Sequence, residues 1–424
     1  MTLTEDRLAA ALRTGADRFT ASPDLGGTLV RGRRIRHRRF ALTGVAAVLV
    51  VTGIATTLRS ATSIDGAAGS AQSPFRPIAT GPLATRVGSS MVSLGSAVFV
   101  WGGQAAPDND TRRTPQASGL LADGAIYSPA SDSWRRISAS PLPGRVGAPV
   151  VVTQAGVLVL GGSSGGDLLT ADRTDGALYD PVGDTWTMVP DAPLCVHEAV
   201  AQGRIVYAAG TACNSGGTPA FGILDAMTGV WKSAPVPAFG LQHLLPYHGT
   251  VIAIGRLGET AELSPAGSWT RLPSVPATGS DVPQQMRVTD FVTASSVVNV
   301  LVVGQVDFGD RGTVVYALSE GRWTEVGRYD QHSRVEYPAR FDVQAAISGD
   351  LLVWHGLTGL SWFSLTTHRA DFAPTAASAA GVVTPTPLVP VDGFGFLWWG
   401  GHTGERVPRT DQPLSAGALV TINP

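Results

Sequence analysis

The side chains in this sequence that could do chemistry are few and lie far apart along the chain. Arginines recur just ahead of short apolar runs, and histidine or aspartate follows other runs of the same kind. The candidate ligand-binding residues are Arg86, Arg145, Arg287, Arg340, His197, His243 and Asp290. Preorganised guanidinium groups bind carboxylates or phosphates through paired hydrogen bonds. Four such arginines around one opening could bind an anion; in the alternative, each bonds backbone carbonyls or a neighbouring acid and is structural.

The two cysteines are the second candidate pair. Cys195 precedes one predicted strand and Cys213 follows the next, with a hairpin turn near Gln202-Gly203 between them. Antiparallel pairing about that turn sets Cys195 opposite roughly Thr211, which brings the two thiols within reach of each other. We therefore predict a disulfide, which fits an oxidising exterior. The alternative is two buried free thiols.

Recognised catalytic motifs are missing from the sequence. It contains no zinc-ligand cluster, P-loop or nucleophile elbow. We therefore name no catalytic residue and expect neither a cofactor nor a metal. Only His197, Glu198, His243 and Asp290 could supply an acid or a base beside the arginines. The net charge of −2 gives no argument for nucleic-acid binding.

Short strands must position these residues, as the stretch from Pro141 to Pro190 illustrates. Its four apolar runs are too short for helices and are bounded by turn-forming residues. The runs predict a four-stranded antiparallel meander with strands Val150 to Thr153, Val157 to Leu160, Gly176 to Tyr179 and Thr185 to Val189. A single sheet of this size cannot bury both faces, so further copies are expected.

Two markers repeat along the chain in the same phase. A glycine, often doubled, closes an apolar run at Gly102, Gly161, Gly210, Gly255, Gly304, Gly356 and Gly400. A tyrosine or an aliphatic residue is followed seven residues later by tryptophan, most clearly from Tyr127 to Trp134 and from Tyr179 to Trp186. The spacing of the glycines predicts seven units of propeller-blade length.

These motifs resemble the Kelch-type β-propeller family, which includes the galactose oxidase propellers. The resemblance covers about residues 75 to 424 and implies an all-β, seven-bladed ring. Asn423-Pro424 stands where Ser128-Pro129 stands in the first unit, so we predict that the strand beginning at Phe75 completes the seventh blade. Propellers host catalysts, ligand binders and scaffolds alike. The family's copper-radical oxidases need a Tyr/Cys cross-link, and neither cysteine lies in such a setting.

The N-terminal part predicts a membrane anchor. Residues 1–39 form a basic tail, residues 40–58 are an uncharged apolar run, residues 59–74 are a polar spacer, and residues 75–424 are the propeller. Nineteen residues nearly match the thickness of the hydrocarbon core as a helix. The basic residues from Arg31 to Arg39 place the N-terminus in the cytoplasm and the propeller outside. A cleaved signal sequence is the alternative.

These observations predict a single-pass protein of a bacterial plasma membrane, since arginine outnumbers lysine and alanine and glycine are abundant. Its extracytoplasmic propeller would be a non-enzymatic binding or sensing module. The expected partner is a protein, or an anionic or saccharide ligand, on the face that carries the long loops Gln104 to Ala122 and Ser163 to Thr174. The alternatives are an extracytoplasmic enzyme that acts on sugars at the channel mouth and a structural scaffold of the envelope.

Overall fold

A computed structural model describes the part of the chain that follows the predicted anchor. The described residues are 75–105, 119–165, 171–213, 217–255, 258–276, 292–295, 300–305, 313–329, 345–355, 359–374, 388–400, 402–403, 412–413 and 417–422. The predicted tail, membrane helix and spacer, residues 1–74, lie outside them. Within the described ranges no helix is long and apolar enough to cross a membrane.

All regular structure in the described residues is β-strand. The first strands in chain order are β1 (Phe75–Pro77), β2 (Arg86–Val87), β3 (Ser90–Ser93), β4 (Val98–Trp101), β5 (Gln104–Ala105), β6 (Gly124–Ser128), β7 (Ser133–Arg136), β8 (Val150–Thr153), β9 (Gly156–Leu160), β10 (Gly176–Asp180), β11 (Thr185–Val189), β12 (Cys195–Gln202), β13 (Ile205–Thr211), β14 (Pro219–Asp225), β15 (Val230–Ala234) and β16 (Leu241–Tyr247). The remaining strands are β17 (Thr250–Gly255), β18 (Thr260–Leu263), β19 (Trp269–Leu272), β20 (Val292–Ser295), β21 (Val300–Gln305), β22 (Thr313–Ser319), β23 (Arg322–Tyr329), β24 (Ala346–Ser348), β25 (Leu351–His355), β26 (Gly359–Ser364), β27 (Ala370–Pro374), β28 (Val389–Val391), β29 (Gly395–Trp399), β30 (His402–Thr403), β31 (Gln412–Pro413) and β32 (Gly417–Val420).

The described strands pair into seven four-stranded antiparallel sheets. In chain order of their inner strands these are β3-β4-β6-β7, β8-β9-β10-β11, β12 to β15, β16 to β19, β20 to β23, β24 to β27, and β28-β29-β32-β1. We number them as the first to the seventh sheet. Two further pairs, β2-β5 and β30-β31, form small two-stranded sheets. The meander predicted between Pro141 and Pro190 is confirmed as the second sheet, because β8 to β11 pair in sequence order.

The seventh sheet joins the two ends of the described chain. Phe75 of β1 pairs with Val420 of β32, and β32 pairs with β29. The prediction that the strand at Phe75 completes the last unit is therefore confirmed. The added strand covers the backbone edge of β32, which would otherwise be left without partners.

The sheets are arranged as a β-propeller. Each inner strand contacts the inner strand of the next sheet, from β3 through β8, β12, β16, β20 and β24 to β28, and β28 contacts β3. Buried apolar side chains form seven clusters in the described residues, and two consecutive sheets share each cluster. A single sheet could not bury both of its faces, and this arrangement buries them against its neighbours. The fold is all-β, as predicted.

Candidate functional site

Arg86 is buried in β2, just before the inner strand of the first sheet, and all three of its guanidinium nitrogens donate hydrogen bonds. Its Nη1 donates to the Gly102 carbonyl at 3.0 Å and to Asp123 Oδ1 at 2.8 Å. Its Nη2 donates to Asp123 Oδ2 at 3.1 Å, and its Nε donates to the Ala84 carbonyl at 3.0 Å. This bidentate pairing uses both carboxylate oxygens, the strongest geometry available to an arginine.

Arg145 makes the same contacts in the second sheet. Its Nη1 donates to the Gly161 carbonyl at 3.0 Å and to Asp175 Oδ1 at 2.8 Å, and its Nη2 donates to Asp175 Oδ2 at 2.7 Å. Its Nε donates to the Pro143 carbonyl at 3.1 Å. We call this unit, an arginine held by an aspartate and a glycine carbonyl, the guanidinium clamp. The clamp joins the segment before the inner strand to the end of the second strand and the start of the third.

The clamps involve two of the four arginines in the anion-binding prediction. The Arg86 and Arg145 side chains are 0% exposed, so neither faces a ligand. Burial alone would raise the pKa of Asp123 and Asp175, but the hydrogen bonds and charge of the arginines outweigh it and hold each pKa below its ordinary value. The carboxylates are therefore ionised partners of the arginines at neutral pH. At these two arginines the observed contacts are those of the structural alternative, and neither guanidinium group is exposed.

The glycine doublets lie where separate stretches of backbone approach one another closely. Gly161 and Gly162 have φ values of 53° and 85°, which favour glycine. The Gly162 amide donates to the Val196 carbonyl at 3.0 Å, and a Cβ on Gly162 would lie 2.8 Å from Ala148 Cα. A Cβ on Gly161 would collide with the Val196 carbonyl oxygen. The doublet therefore marks the place where one sheet meets the opening of the next.

The tyrosine and tryptophan marker forms a second junction between sheets. The Tyr127 hydroxyl donates to Asp132 Oδ1 at 2.6 Å, and the same oxygen accepts the Ala79 amide at 2.9 Å. The Trp134 indole donates to the Ala79 carbonyl at 2.9 Å. Ala79 follows the outermost strand of the seventh sheet, so this junction holds that sheet to the first. The second sheet repeats the arrangement with Tyr179, Asp184, Ser138 and Trp186.

The third sheet lacks the clamp. Aligned on Gly210, the place of the arginine is taken by Leu194, which is 1% exposed. The neighbouring Cys195 forms a disulfide with Cys213, with the Cα atoms 5.1 Å apart, and Cys195 pairs with Thr211 across β12 and β13. The disulfide joins the opening of the inner strand to the segment after the second strand. A covalent bond thus connects the regions that the guanidinium clamp connects in the second sheet.

His197 and His243 lie at irregularities in the inner strands of the third and fourth sheets. His197 is exposed at a bulge in β12, and His243 adjoins a bulge in β16. Glu198 Oε1 accepts the Leu244 amide at 2.9 Å and lies 3.7 Å from His243 Nδ1. Glu198 therefore connects the two inner strands. In the described part of the chain no three His, Cys, Asp or Glu side chains could hold a metal ion.

The other predicted site residues fall outside the description. Arg287, Arg340 and Asp290 are not among the described residues, so the four-arginine rim is not assembled from what the structure describes. Each remains a prediction.

A cavity of about 280 Å³ lies at the junction of the third and fourth sheets. It is lined by Ala238, Phe239, Glu259, Ala261, Trp269 and Arg271. The Trp269 indole donates to the Pro235 carbonyl at 2.7 Å, and its ring meets Phe221 edge-on with the centroids 5.3 Å apart. Two aromatic side chains and two opposite charges around one cavity suit a small ligand or a partner's side chain.

The sequence analysis missed this cavity. The signal was present: aligned on Gly255, the arginine of the clamp is replaced by Phe239, while an acid remains at Glu259 just before the third strand. Only the structure shows that Arg271 approaches from the outer strand to complete the lining.

Comparisons with known proteins agree with this architecture. A structure of a fungal alcohol oxidase of the AA5 family, in complex with copper, superposes with a TM-score of 0.56 and covers 81% of this chain and 75% of that chain. The chain shares its propeller fold. Sequence identity over the match is 14%, so the likeness concerns the fold alone. No protein-family model and no curated protein matches the sequence.

The described residues of this propeller do not fit a copper centre like that of a copper-radical oxidase. Both cysteines are joined to each other in the disulfide, so neither can form a cross-link to tyrosine. The tyrosines of the outer junctions, Tyr127 and Tyr179, donate their hydroxyls to aspartates, and burial followed by these hydrogen bonds raises their pKa. They are neutral structural residues.

Proposed function

We propose that this protein is a single-pass bacterial membrane protein whose propeller binds a protein partner outside the cell. We also infer that its seven sheets are the seven blades of one Kelch-type ring. The disulfide between Cys195 and Cys213 supports the extracytoplasmic location, because structural disulfides persist in oxidising compartments. The apolar residues 40–58 after a basic cluster support the anchor and its orientation.

The observation that carries the binding function is the way the long loops leave the ring. The loop of the first sheet begins with Gln104, which bridges Leu120, while the Leu121 amide donates to the Gly103 carbonyl. In the second sheet Ser163 bridges Val146. Both loops therefore start from bases fixed beside the clamps. Loops on a rigid scaffold are the usual carriers of recognition.

A protein partner fits these loops better than the anion that the sequence suggested. Two of the four arginines proposed for an anion are buried in clamps. A saccharide at the loops remains a second outcome of the experiment below. A nucleic acid is not proposed, because the net charge of −2 provides no basic surface by composition.

An enzyme at the channel mouth is the alternative with a specific residue pair, Glu198 and His243. Their 3.7 Å separation would suit an acid and a base. However, Glu198 Oε1 accepts a hydrogen bond from the Leu244 amide, which is a structural role. Sugar hydrolysis by the full-length protein that is lost in Glu198→Gln would favour the enzyme over the binding module.

The orientation can be tested with tags at the two termini. Protease added to intact, wall-stripped cells should remove a C-terminal tag and spare an N-terminal one. Protection of the C-terminal tag would contradict an extracytoplasmic propeller.

The partner can be tested with a photo-crosslinking amino acid at single positions. Ser164, at the base of the second-sheet loop, is the test position. Val182 is the control, because it is 61% exposed in the hairpin that joins β10 and β11. We expect a protein adduct of one defined mass from Ser164 only. Adducts to glycan would indicate the saccharide, and identical adducts from both positions would contradict recognition by the loops.

A further inference from the structure

The large apolar side chains that stay exposed are not spread around the ring. Within the described residues they all lie in or beside the outermost strands of the second and third sheets: Val182, Met188, Met227, Val230 and Val236. Single exposed apolar side chains are ordinary on a protein surface, but a group confined to two adjacent sheets indicates a contact surface. Val182 and Met227 are the most exposed of the group, at 61% and 60%.

These two side chains occupy equivalent places in their sheets. Val182 is the second residue after β10 and Met227 is the second after β14, so each lies at the tip of the hairpin that leads to the outermost strand. Asp180 Oδ1 accepts the Val182 amide at 2.9 Å, and Asp225 Oδ1 accepts the Met227 amide at 3.0 Å. Val230, the first residue of β15, is exposed beside Met227. We call Val182, Met227 and Val230 the apolar tips.

The first sheet shows that the fold does not require large apolar residues at these places. Aligned on the tryptophan of the outermost strand, it has Ala130 where the third sheet has Met227, and Ser133 where the third sheet has Val230. Both residues of the first sheet are exposed as well. Because the positions are exposed in both sheets, packing within the chain does not explain the methionine and the valine.

The chain enters the ring on the face that carries the apolar tips. In the third sheet Asp225, the last residue of the third strand, pairs with Val230, the first residue of the fourth. In the seventh sheet Val420 pairs with Phe75 in the same way. The residues before Phe75 therefore arrive where the third sheet has its hairpin, on what we call the hairpin face. The long loops between second and third strands leave from the opposite ends of the strands.

The proposed anchor limits how far the hairpin face can lie from the bilayer. Residues 40–58 are the proposed span, and residues 59–74 separate it from Phe75. These sixteen residues reach at most about 55 Å when fully extended. The ring is therefore tethered close to the lipid surface by its hairpin face. A tethered contact needs less binding energy than a free one, because the tether keeps the local concentration high.

The charges around the apolar tips favour contact with a neutral surface. Asp184 lies 3.4 Å from Arg135, and Asp225 lies 3.4 Å from Arg204. Acids and bases are thus paired at these two hairpins, so the described charges there provide no basic cluster for anionic headgroups. The contact would depend on apolar side chains that enter the boundary between headgroups and acyl chains.

We propose that the apolar tips contact the surface of the bilayer that holds the anchor, with their side chains inserted among the lipid headgroups. The anchor enters at the seventh sheet, and two sheets separate it from the third sheet in one direction and three in the other. The two attachments therefore lie across the ring from each other. The face with the long loops then points away from the bilayer, where a partner can reach it. This inference rests on the proposed anchor and adds the orientation of the ring.

A photo-crosslinking amino acid at position 182 identifies what covers the apolar tips. The full-length protein is reconstituted in nanodiscs of phosphatidylcholine. We expect an adduct with the mass of one phosphatidylcholine from position 182 and none from Ser164, at the base of a loop on the opposite face. An adduct to a second copy of the chain in place of lipid would overturn the proposal, and so would equal lipid adducts from both positions.

Two variants separate the apolar tips from the tether. With the crosslinker kept at position 182, Met227→Ala/Val230→Ser shortens the side chains of the neighbouring tip to those of the first sheet. The yield of lipid adduct should fall by ~10-fold, because apolar area buried in the bilayer is lost. Met188→Ala is the control, since Met188 is 49% exposed but pairs with Ala177, toward the other end of β10. That variant should keep the yield of the wild type.

An unchanged yield in the double variant would show that the tether alone brings lipid to the ring, and would overturn the proposal. Both variants should keep the melting temperature of the wild type, because the replaced side chains are exposed.

Flotation of the full-length protein with phosphatidylcholine vesicles tests the anchor separately. Protein that does not float would contradict the anchor and the inference together. Protein that floats but gives no lipid adduct from position 182 would contradict the inference alone. Neither result would change the crosslinking of a protein partner from Ser164, so failure here is distinguishable from failure of the proposed binding function.

Discussion

The first two sheets and the third sheet solve one packing problem by different means. Each must hold the opening of its inner strand against the end of its second strand. The second sheet does so with Arg145, Asp175 and the Gly161 carbonyl. The third sheet places Leu194 at the corresponding position and connects the same regions through the disulfide of Cys195. In the fourth sheet Phe239 stands at the corresponding position, and a cavity adjoins it.

The difference separates what the fold requires from what it tolerates. All four of these sheets keep a glycine at the close approach. In the second and third sheets a Cβ there would meet backbone, because Gly161 approaches Val196 and Gly210 approaches the Cys195 carbonyl. The residue that fastens the junction can vary. Within the described residues, the first four sheets thus carry two guanidinium clamps, one disulfide and one cavity at equivalent places.

The clamp arginine should have the largest effect on stability. Arg145→Met removes one partner of a buried ion pair and leaves the carbonyls and Asp175 without donors, which should lower the free energy of unfolding by about 3 to 5 kcal/mol. Chemical denaturation of the full-length protein measures it. The control is Arg135→Met, because Arg135 is 45% exposed and lies 3.4 Å from Asp184. That variant should change stability by less than about 1 kcal/mol. Similar losses in both variants would contradict the clamp.

The disulfide should have the next largest effect. Replacing Cys195 and Cys213 together by serine should cost about 3 kcal/mol, because the bond closes a loop of intermediate length in the unfolded chain. Reductant should destabilise the wild-type protein by a similar amount and leave the double variant unchanged. If reductant has no effect on the wild type, the third sheet is not held by this bond.

The close approach in the third sheet should show a smaller but distinct effect. Gly210→Ala places a methyl group against the Cys195 carbonyl, which the disulfide prevents from moving away. We expect a loss of about 1 to 3 kcal/mol from overpacking. Gly240→Ala is the control, since nothing lies within 4 Å of its Cβ position. It should be neutral within about 0.5 kcal/mol. Equal effects would mean that Gly210 is not crowded.

Most of the fold could be predicted from the sequence because its markers are backbone requirements. The glycine at 161 and the spacing from Tyr179 to Trp186 have counterparts in phase along the chain, so their phase defined the units. The pairing of Phe75 with Val420 followed from the match of the two ends to one unit. The disulfide followed from the register of a single hairpin.

The function of the arginines could not be predicted in the same way. Arg86 stands at the opening of a unit whether it is buried or faces a ligand, and the aspartate that decides between the two is distant in sequence. The loop between the second and third strands varies in length, so Asp123 and Asp175 lie at different distances along the sequence from Gly102 and Gly161. The aspartate that pairs with each arginine therefore has no fixed sequence position. The replacement of the clamp arginine by Phe239 is visible when the units are aligned, but the cavity beside it also depends on the approach of Arg271 from the outer strand.

The smallest effect should be a difference in acid sensitivity between the clamped and the disulfide-bonded sheets. Because Asp123 and Asp175 have folded-state pKa values below their ordinary value, their contribution is fully present above the ordinary value, near 4, and is lost as the pH falls through the lowered value. Both carboxylates are partly exposed, which limits the contribution. The free energy of unfolding should therefore decline with acid below about pH 4 in the wild type.

Asp175→Asn should be less stable at neutral pH but should show a shallower decline, since one titrating group is gone. The cystine replacement should leave the slope of the wild type intact, because a disulfide does not titrate. An unchanged slope in Asp175→Asn, measured by denaturation between pH 3 and 6, would show that the clamp carboxylate does not carry the pH dependence.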